Sequence, residues 1–431
     1  MKQYSSYKNS GVEWIGEIPS HWEKSKLKYD VILTMGQSPD SENYNDEGIG
    51  TPFLQGNTEF GKDFPTTRKW TKQVTKLSKE GDILYSVRGS LGEMNWSDIE
   101  YCIGRGICSI TPINLIPKFN MYLLKVLDQE VKSISVGSTF QAITVDDVKN
   151  LFYYIPLLSE QEQIVEYLDE KTSQIDGLIS ITEKKIELLK QKRTSLINEA
   201  VTKGLNGNVE MRDSGVEWIG KTPKHWKKIP LKHISYMKGR IGWKGLKQEE
   251  FSDDVNLPYL ITGHDIKNDR INWEKCYHIS EERYEESPEI KVKINDLLFT
   301  KDGTIGKTLF IDYLPGKTSL NSHLLLIRPL NNSYNSKYLQ YVFKADYFLS
   351  YVELTKTGTT FYGVSQETMM GFNGYFPPLP EQELIVEYID NQTLEIDNLV
   401  SIEQRRIETL KEYRQSLISE VVTGKIKVTT E

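Results

Sequence analysis

The chain has 431 residues, 26% charged and 38% apolar, a composition that suits a globular cytosolic protein with room for two or three domains. No apolar run approaches the roughly eighteen residues of a membrane span, and the opening "MKQYSSYKNS" lacks the apolar core of a signal peptide. The net charge of −7 excludes a uniformly basic nucleic-acid binder, but it averages over domains, so a basic face can coexist with acidic helices.

In chain order the first signal is "SGVEWIG" at residues 10–16, which runs on to Pro19, His21 and Trp22. Two short pieces follow. "FLQGNTEFG" starts at Phe53, and "GDILYSVRGSLGE" starts at Gly81, with a buried strand predicted over 83–85. A helix is predicted over 118–129, and "GSTFQAIT" follows at Gly137. At Leu158 begins "LSEQEQIVEYLDEKTSQIDGLIS", where Ser159 and Glu162 fit a capping box. A long helix then carries a seam at alternating steps of four and three: Ile175, Ile179, Thr182, Ile186, Leu189, Arg193, Leu196 and Ala200. Gly204 follows where a helix end needs positive φ.

The second half repeats the first. "SGVEWIG" returns from Ser10 to Ser214, an offset of 204, followed by Pro223, His225 and Trp226. "YLITGHDIKND" starts at Tyr259 and "NDLLFTKDGTIGK" at Asn295, with strand 297–299, helix 336–348 and "GTTFYGVS" from Gly358. "LPEQELIVEYIDNQTLEIDNLVS" repeats the helical segment at an offset of 221, from Glu160 to Glu381. Its seam is Ile396, Val400, Glu403, Ile407, Leu410, Arg414, Leu417 and Val421, with Gly424 at the end. A stripe this narrow buries little alone, so the two helices, each about 30 residues or roughly 45 Å, are expected to pack on each other. Trp14, Trp22, Trp218 and Trp226 are expected to pack the joints, with His21 and His225 beside them. The period is far above that of a solenoid, so this is one duplicated unit. The fold class is α+β: mixed domains over 1–157 and 208–378, helical segments over 158–207 and 379–431.

No catalytic constellation emerges. "KDGTIGKT" from Lys301 places lysine where a phosphate-binding loop needs its first glycine. Pro39-Asp40 has no acid-x-lysine partner nearby, and "YFPPLPEQ" is not an amino-methyltransferase motif. The histidines lack zinc-ligand spacing. Cys102, Cys108 and Cys276 form neither a disulfide framework nor a metal set. Neither metal nor cofactor is expected.

Taken in order, the twin "SGVEWIG…P.HW" segments, the paired "GDIL…RGS.G" and "NDLL…KDGTIG" strands, and the twin "EQE.IVEY.D…ID.L" helices ending in "SLI.E.VT" resemble the specificity subunit of a Type I restriction-modification enzyme. The resemblance spans nearly the whole chain. It implies two target-recognition domains joined by two antiparallel helices that form a coiled-coil spacer with pseudo-two-fold repetition. It implies a non-catalytic cytoplasmic subunit that reads a bipartite double-stranded DNA site. Its partners would be two modification (methyltransferase) subunits and restriction (translocase/endonuclease) subunits, with no membrane.

Phosphate contacts are expected from the basic stretches: Lys62, Arg68, Lys69, Lys72 and Lys76, then Lys238, Arg240, Lys244 and Lys247. Base-reading candidates sit in matched loops. Gln55 and Asn57 pair with Thr262 and His264, Arg88 with Lys301, and Thr139 and Gln141 with Thr360 and Tyr362. The competing reading is a two-headed protein-interaction scaffold that binds no DNA. A single-chain enzyme with a fused methyltransferase is excluded by length and by the missing motif.

Overall fold

The repeated heptapeptide is the tip of a β-hairpin. Strand Tyr7–Asn9 pairs antiparallel with Glu17–Pro19, and residues 10–16 make the turn between them. The Ser10 N–H donates to the Gly16 carbonyl at 2.9 Å, and Gly11 and Gly16 take φ of +74° and +70°, which only glycine adopts cheaply. The second copy repeats this between Met211–Asp213 and Lys221–Pro223, with Ser214 to Gly220 at 2.8 Å. Each tip is held from behind by a tyrosine hydroxyl: Tyr154 donates to the Ser10 carbonyl and Tyr375 to the Ser214 carbonyl. The chain leaving each hairpin then delivers Trp22 and Trp226 into a core.

The computed structural model describes residues 3–134, 143–217, 219–240, 245–301, 305–355 and 363–428. The chain divides into two units, Met1–Thr182 with Arg405–Glu431, and Glu183–Gln404. The first holds a four-stranded antiparallel sheet in the order Val31–Met35, Ile107–Pro112, Ile83–Ser86, Met94–Trp96. The second repeats it as Ser235–Gly239, Leu324–Pro329, Leu297–Thr300, Thr308–Phe310. Ile83–Ser86 and Leu297–Thr300 are buried at every position, which accounts for the apolar run of three residues that opens each. A smaller sheet in each unit contains one parallel pair, Cys102–Ile103 with Thr51–Leu54 and Thr318–Leu320 with Tyr259–Ile261. Helix Pro117–Ile134 packs in the first unit. Its counterpart in the second is broken at the extended residue Ala345 into Ser336–Lys344 and Asp346–Thr355.

The two long helices run Leu158–Lys203 and Leu379–Val422, 46 and 44 residues, or about 69 and 66 Å. They exceed the expected 30 residues because the "EQE.IVEY" segment continues into the seam without a break. The first helix starts differently from the expected capping box: Glu160, not Glu162, reaches back to the Leu157 N–H, at 3.2 Å. Each unit's core takes the start of one long helix and the end of the other. Ile164, Leu168, Leu417 and Val421 lie in the first, and Ile385, Ile389, Ile197 and Val201 in the second.

Among seam positions, Ile175, Thr182, Ile186, Ala200, Ile396, Glu403, Leu417 and Val421 are buried. Ile179, Leu189, Arg193, Leu196, Val400, Ile407, Leu410 and Arg414 are half-buried. In the second unit Lys185 pairs with Glu403 at 2.6 Å and Arg193 with Asp397 at 3.1 Å. Numbers climb on one helix as they fall on the other, so the pair is antiparallel. In the first unit Arg414 makes the matching contact to Asp176 at 2.8 Å. The arginines that interrupt the apolar stripe are therefore cross-helix ties, each using the aspartate one residue past a seam isoleucine.

Each sheet domain is fastened to its helices by the same three groups. Lys118 and Tyr122 both bond Asp169, at 2.5 and 2.9 Å. Lys337 and Tyr341 do the same to Asp390. The Asp of "GDIL" and "NDLL" is likewise internal. Asp82 accepts from Ser109 Oγ at 2.5 Å, Thr111 Oγ1 at 2.7 Å and the Lys79 N–H at 2.8 Å. Asp296 accepts from Arg328 Nε at 2.6 Å, Arg328 Nη2 at 2.7 Å and the Lys293 N–H at 2.7 Å. Hydroxyls satisfy the carboxylate in one unit, and a guanidinium satisfies it in the other. All three cysteines are buried free thiols. Burial pushes Cys108 and Cys276 each up to about 12.

Candidate nucleic-acid interface

At one end of the first unit's sheets three loops, 36–38, 55–57 and 104–106, meet backbone to backbone. A Cβ on Gly36 would lie 2.2 Å from the Gly104 carbonyl oxygen, and one on Gly104 or Gly106 would lie 2.9 Å from the Gln55 carbonyl oxygen. Only glycine permits that approach. Hydrogen bonds then lock it. Gln37 N–H donates to Ile103 at 2.8 Å, Gly104 N–H to Leu54 at 2.8 Å, and Val87 N–H to Gly106 at 3.0 Å. The platform exposes Gln37, Gln55, Arg88 and Arg105. Asn57 is half-buried, and its side-chain amide donates to Glu93 at 2.7 Å. Gln55, Asn57 and Arg88 were expected from sequence. Gln37 and Arg105 were missed, although the "GRG" of residues 104–106 is a local signal for a tight turn that presents one side chain.

The second unit repeats two of these three bonds with different residues; the loop that matches 36–38 falls partly outside the described residues. Asn321 N–H donates to Ile261 at 2.9 Å and Lys301 N–H to His323 at 3.1 Å. These bonds match Gly104 to Leu54 and Val87 to Gly106. Lys301 therefore stands at the position of Val87, and the pairing of Lys301 with Arg88 is off by one residue. His264 and His323 are exposed here, and Lys301 is half-buried.

A family profile for the Type I restriction modification DNA specificity domain matches residues 19–191 and again 223–412. The chain belongs to that family. The Type I MjaVIII specificity subunit of Methanocaldococcus jannaschii is 23% identical over 428 residues, covering 95% of this chain and 94% of that one. The putative MjaX subunit of the same organism is 36% identical over 205 residues, only 46% of either chain. Among solved structures, a chain from work on complex assembly and conformational transition of the type I R-M system superposes with a TM-score of 0.75. It is 16% identical, covering 95% of this chain and 99% of that one. The HsdS subunit from Thermoanaerobacter tengcongensis gives 0.56 at 15% identity, covering 97% and 100%. These likenesses confirm the fold class: two specificity domains with two long helices.

In this family member the first basic stretch lies open. Lys62, Arg68, Lys69, Lys72 and Lys76 are exposed, and none enters an ion pair among the described residues. Lys238 and Lys247 are also exposed. Arg240 is a correction. It is 3% exposed, and its guanidinium donates inward to the Leu320 carbonyl at 2.9 Å, Ser319 Oγ at 3.0 Å and Ser287 Oγ at 3.2 Å. Burial, then the nearby Arg283, holds its pKa below the usual range. Counting charges in "MKGRIGWKGLK" says nothing of direction. Thr262 is a second correction: it is buried, and its N–H and hydroxyl both bond Asp265, at 2.7 and 2.8 Å. Lys244, Thr139, Gln141, Thr360 and Tyr362 lie outside the described residues, as does Trp218.

The joints carry a second set of twin contacts. His21 lies 3.0 Å from Glu160, and His225 lies 2.8 Å from Glu381. Each ties the lead-in segment to the start of a long helix. Along the helices, Leu178 and Ile181 are exposed on the first, and Leu399 and Ile402 on the second, at equivalent positions of the repeat. A cavity of about 660 Å³ in the first unit is lined by Lys125, Asp128, Lys411, Arg414 and Gln415 among others. One of about 410 Å³ in the second uses the matched Lys190, Thr194 and Asn198. No helix among the described residues is long and apolar enough to cross a membrane.

Proposed function

We propose that the chain is the DNA-recognition subunit of a Type I restriction-modification complex, each unit reading one half of a bipartite duplex target. The observation that carries this reading is the duplicated platform. Two of its locking backbone bonds recur in the second unit, and the groups presented there differ: carboxamides and arginines in one unit, histidines and a lysine in the other. That is the arrangement a reader of two unlike half-sites needs, because side chains on a fixed frame select base edges. The open lysine edge supplies phosphate contacts. The scaffold reading without DNA does not account for a platform of base-edge chemistry and is not favoured.

The subunit itself is non-catalytic and acts in the cytoplasm. Two modification subunits dock along the long helices, one per repeat, and restriction subunits join that assembly. The matched exposed pairs, Leu178 with Ile181 and Leu399 with Ile402, support one docking surface per repeat. Glu183, Glu187 and Glu408 remain exposed for such contacts. Glu403, the acidic seam position, is buried against Lys185 and is not available.

The test is equilibrium binding of the assembled modification complex to duplex DNA across a salt series. Affinity for one bipartite duplex should exceed that for random duplex by at least about a thousandfold, and should fall steeply with salt. Binding that is salt-independent and blind to sequence would favour the scaffold.

A further inference from the structure

Arg105 stands on the first platform, and its guanidinium makes no hydrogen bond or ion pair among the described residues. It sits in a turn closed by the Ile107 N–H on the Gly104 carbonyl at 3.0 Å. Its own N–H donates to Ser38 Oγ at 3.3 Å. Gly104 and Gly106 on either side press against Gln55 and Gly56 so closely that any Cβ would collide. The backbone beneath Arg105 is thus fixed from four directions, while its side chain is exposed. No carboxylate pairs with it among the described residues. The nearby acids are occupied, Glu93 by Asn57 at 2.7 Å and Glu59 by the Gly56 N–H at 3.3 Å.

A guanidinium presented from so fixed a backbone suits the reading of a base edge. Its planar fork matches the two major-groove acceptors of guanine, O6 and N7. Its neighbours Gln37 and Gln55 carry the carboxamides that match adenine. Cations for phosphate contacts are supplied by the exposed lysines of residues 62–76, a stretch that adjoins the platform: Thr75 Oγ1 donates to the Gln37 carbonyl, and the Ile103 N–H donates to the Lys76 carbonyl at 2.9 Å. In the second unit the corresponding turn is closed by the Leu324 N–H on the Asn321 carbonyl at 3.2 Å, and it places Ser322 where Arg105 stands. Ser322 turns its hydroxyl to its own neighbour, Asn321, at 2.9 Å.

We infer that Arg105 is a specificity-determining residue that reads one guanine in the half-site of the first unit. This rests on the DNA-recognition reading above. A base reader fixed by its backbone acts at a single base pair, so its loss should relax one position and leave the rest of the target alone.

The experiment compares the wild-type subunit with R105A and R105Q, each assembled with its modification subunits. It reads the methylated motif in cells and affinity for duplexes substituted one base pair at a time. R105A should bind the cognate duplex about ten- to a hundredfold more weakly. The penalty for replacing one G·C pair in one half-site should vanish, with the other half-site unchanged. R105Q should shift preference at that same pair toward adenine. Thermal midpoints equal to wild type show that neither variant acts by unfolding. Two outcomes overturn the inference while leaving the DNA-recognition reading intact. One is uniform weakening on every sequence with a salt slope lower by about one, the mark of a phosphate contact. The other is an unaltered motif in both variants. A wild-type complex that methylates no bipartite motif overturns the reading beneath it.

Discussion

Arg328 offers a test of how the second unit is held together, and its size can be worked out. Asp296 is fully buried and accepts three hydrogen bonds, two of them from Arg328 at 2.6 and 2.7 Å. Arg328→Met keeps most of the side chain's packing and removes both charged donors. Only the Lys293 N–H, at 2.7 Å, remains. Stranding a buried carboxylate costs about 3–5 kcal/mol. For a unit of roughly 200 residues each kcal/mol lowers Tm by about 2–4 °C, so its transition should fall by about 6–20 °C. Asp296→Asn added to Arg328→Met removes the stranded charge while keeping an acceptor for Lys293, and should recover at least about 1 kcal/mol. Thr111→Val, the matching change in the first unit, removes one of three donors to Asp82 and should cost about 1.5–3 kcal/mol. Calorimetry of the full chain, with hydrogen exchange of strand Leu297–Thr300 to assign the transition, measures each effect. A single variant within 1 kcal/mol of wild type, or a double variant no better than the single, would refute the claim that Asp296 depends on Arg328.

Three further outcomes follow from the same geometry. Gly424→Ala forces φ of +75° on alanine and drives a Cβ to 2.4 Å from Pro19, whereas Gly16→Ala at +70° meets nothing within 4 Å. The first should therefore cost well above the ~1–2 kcal/mol expected of the second, as denaturant midpoints will show. Cys108 and Cys276, each with a thiol pushed up to about 12, hold a thiolate fraction of about one in ten thousand at pH 8. Both should resist a disulfide reagent in the native chain, and rapid stoichiometric labelling of either would contradict their burial. Inserting four residues after Lys190 lengthens the first helix by about 6 Å and nearly keeps its phase. The methylated motif should keep both half-sites with a spacer longer by one or two base pairs, and an active enzyme with the original spacer would show that the helices do not set it.

The architecture was legible because duplication marks its own boundaries. A heptapeptide, an Asp-apolar strand and a seam written twice reveal the repeat without any knowledge of what each piece does. What the heptapeptide does was less legible. Its role as a hairpin turn depends on two positive-φ glycines and on tyrosines more than 140 residues away in sequence, Tyr154 and Tyr375. The seam spacing identified the faces, but it could not say that Arg193 and Arg414 find Asp397 and Asp176 across the helix pair. Charge content is the weakest guide to the site. Arg240 and Arg105 are equal in a count of basic residues, yet one is buried among carbonyl and hydroxyl oxygens and the other stands free on a turn. Glu403 interrupts an apolar seam as an acid, yet it is 6% exposed, because Lys185 reaches it from the other helix. In each case a tertiary partner decides direction, and a local pattern carries no information about that partner. Lys301 differs from these cases: aligning Gly81 with Asn295 already sets it against Val87, the backbone bonds agree, and its pairing with Arg88 does not hold.

One measurement bears most directly on the central claim that each unit reads its own half-site. Residues 208–378 are replaced with the corresponding domain of a relative that methylates a different motif, and the methylome is sequenced in cells that carry the modification subunits. The account predicts a bipartite motif in which one half changes and the other keeps every base. A change in both halves, or in neither, would contradict it.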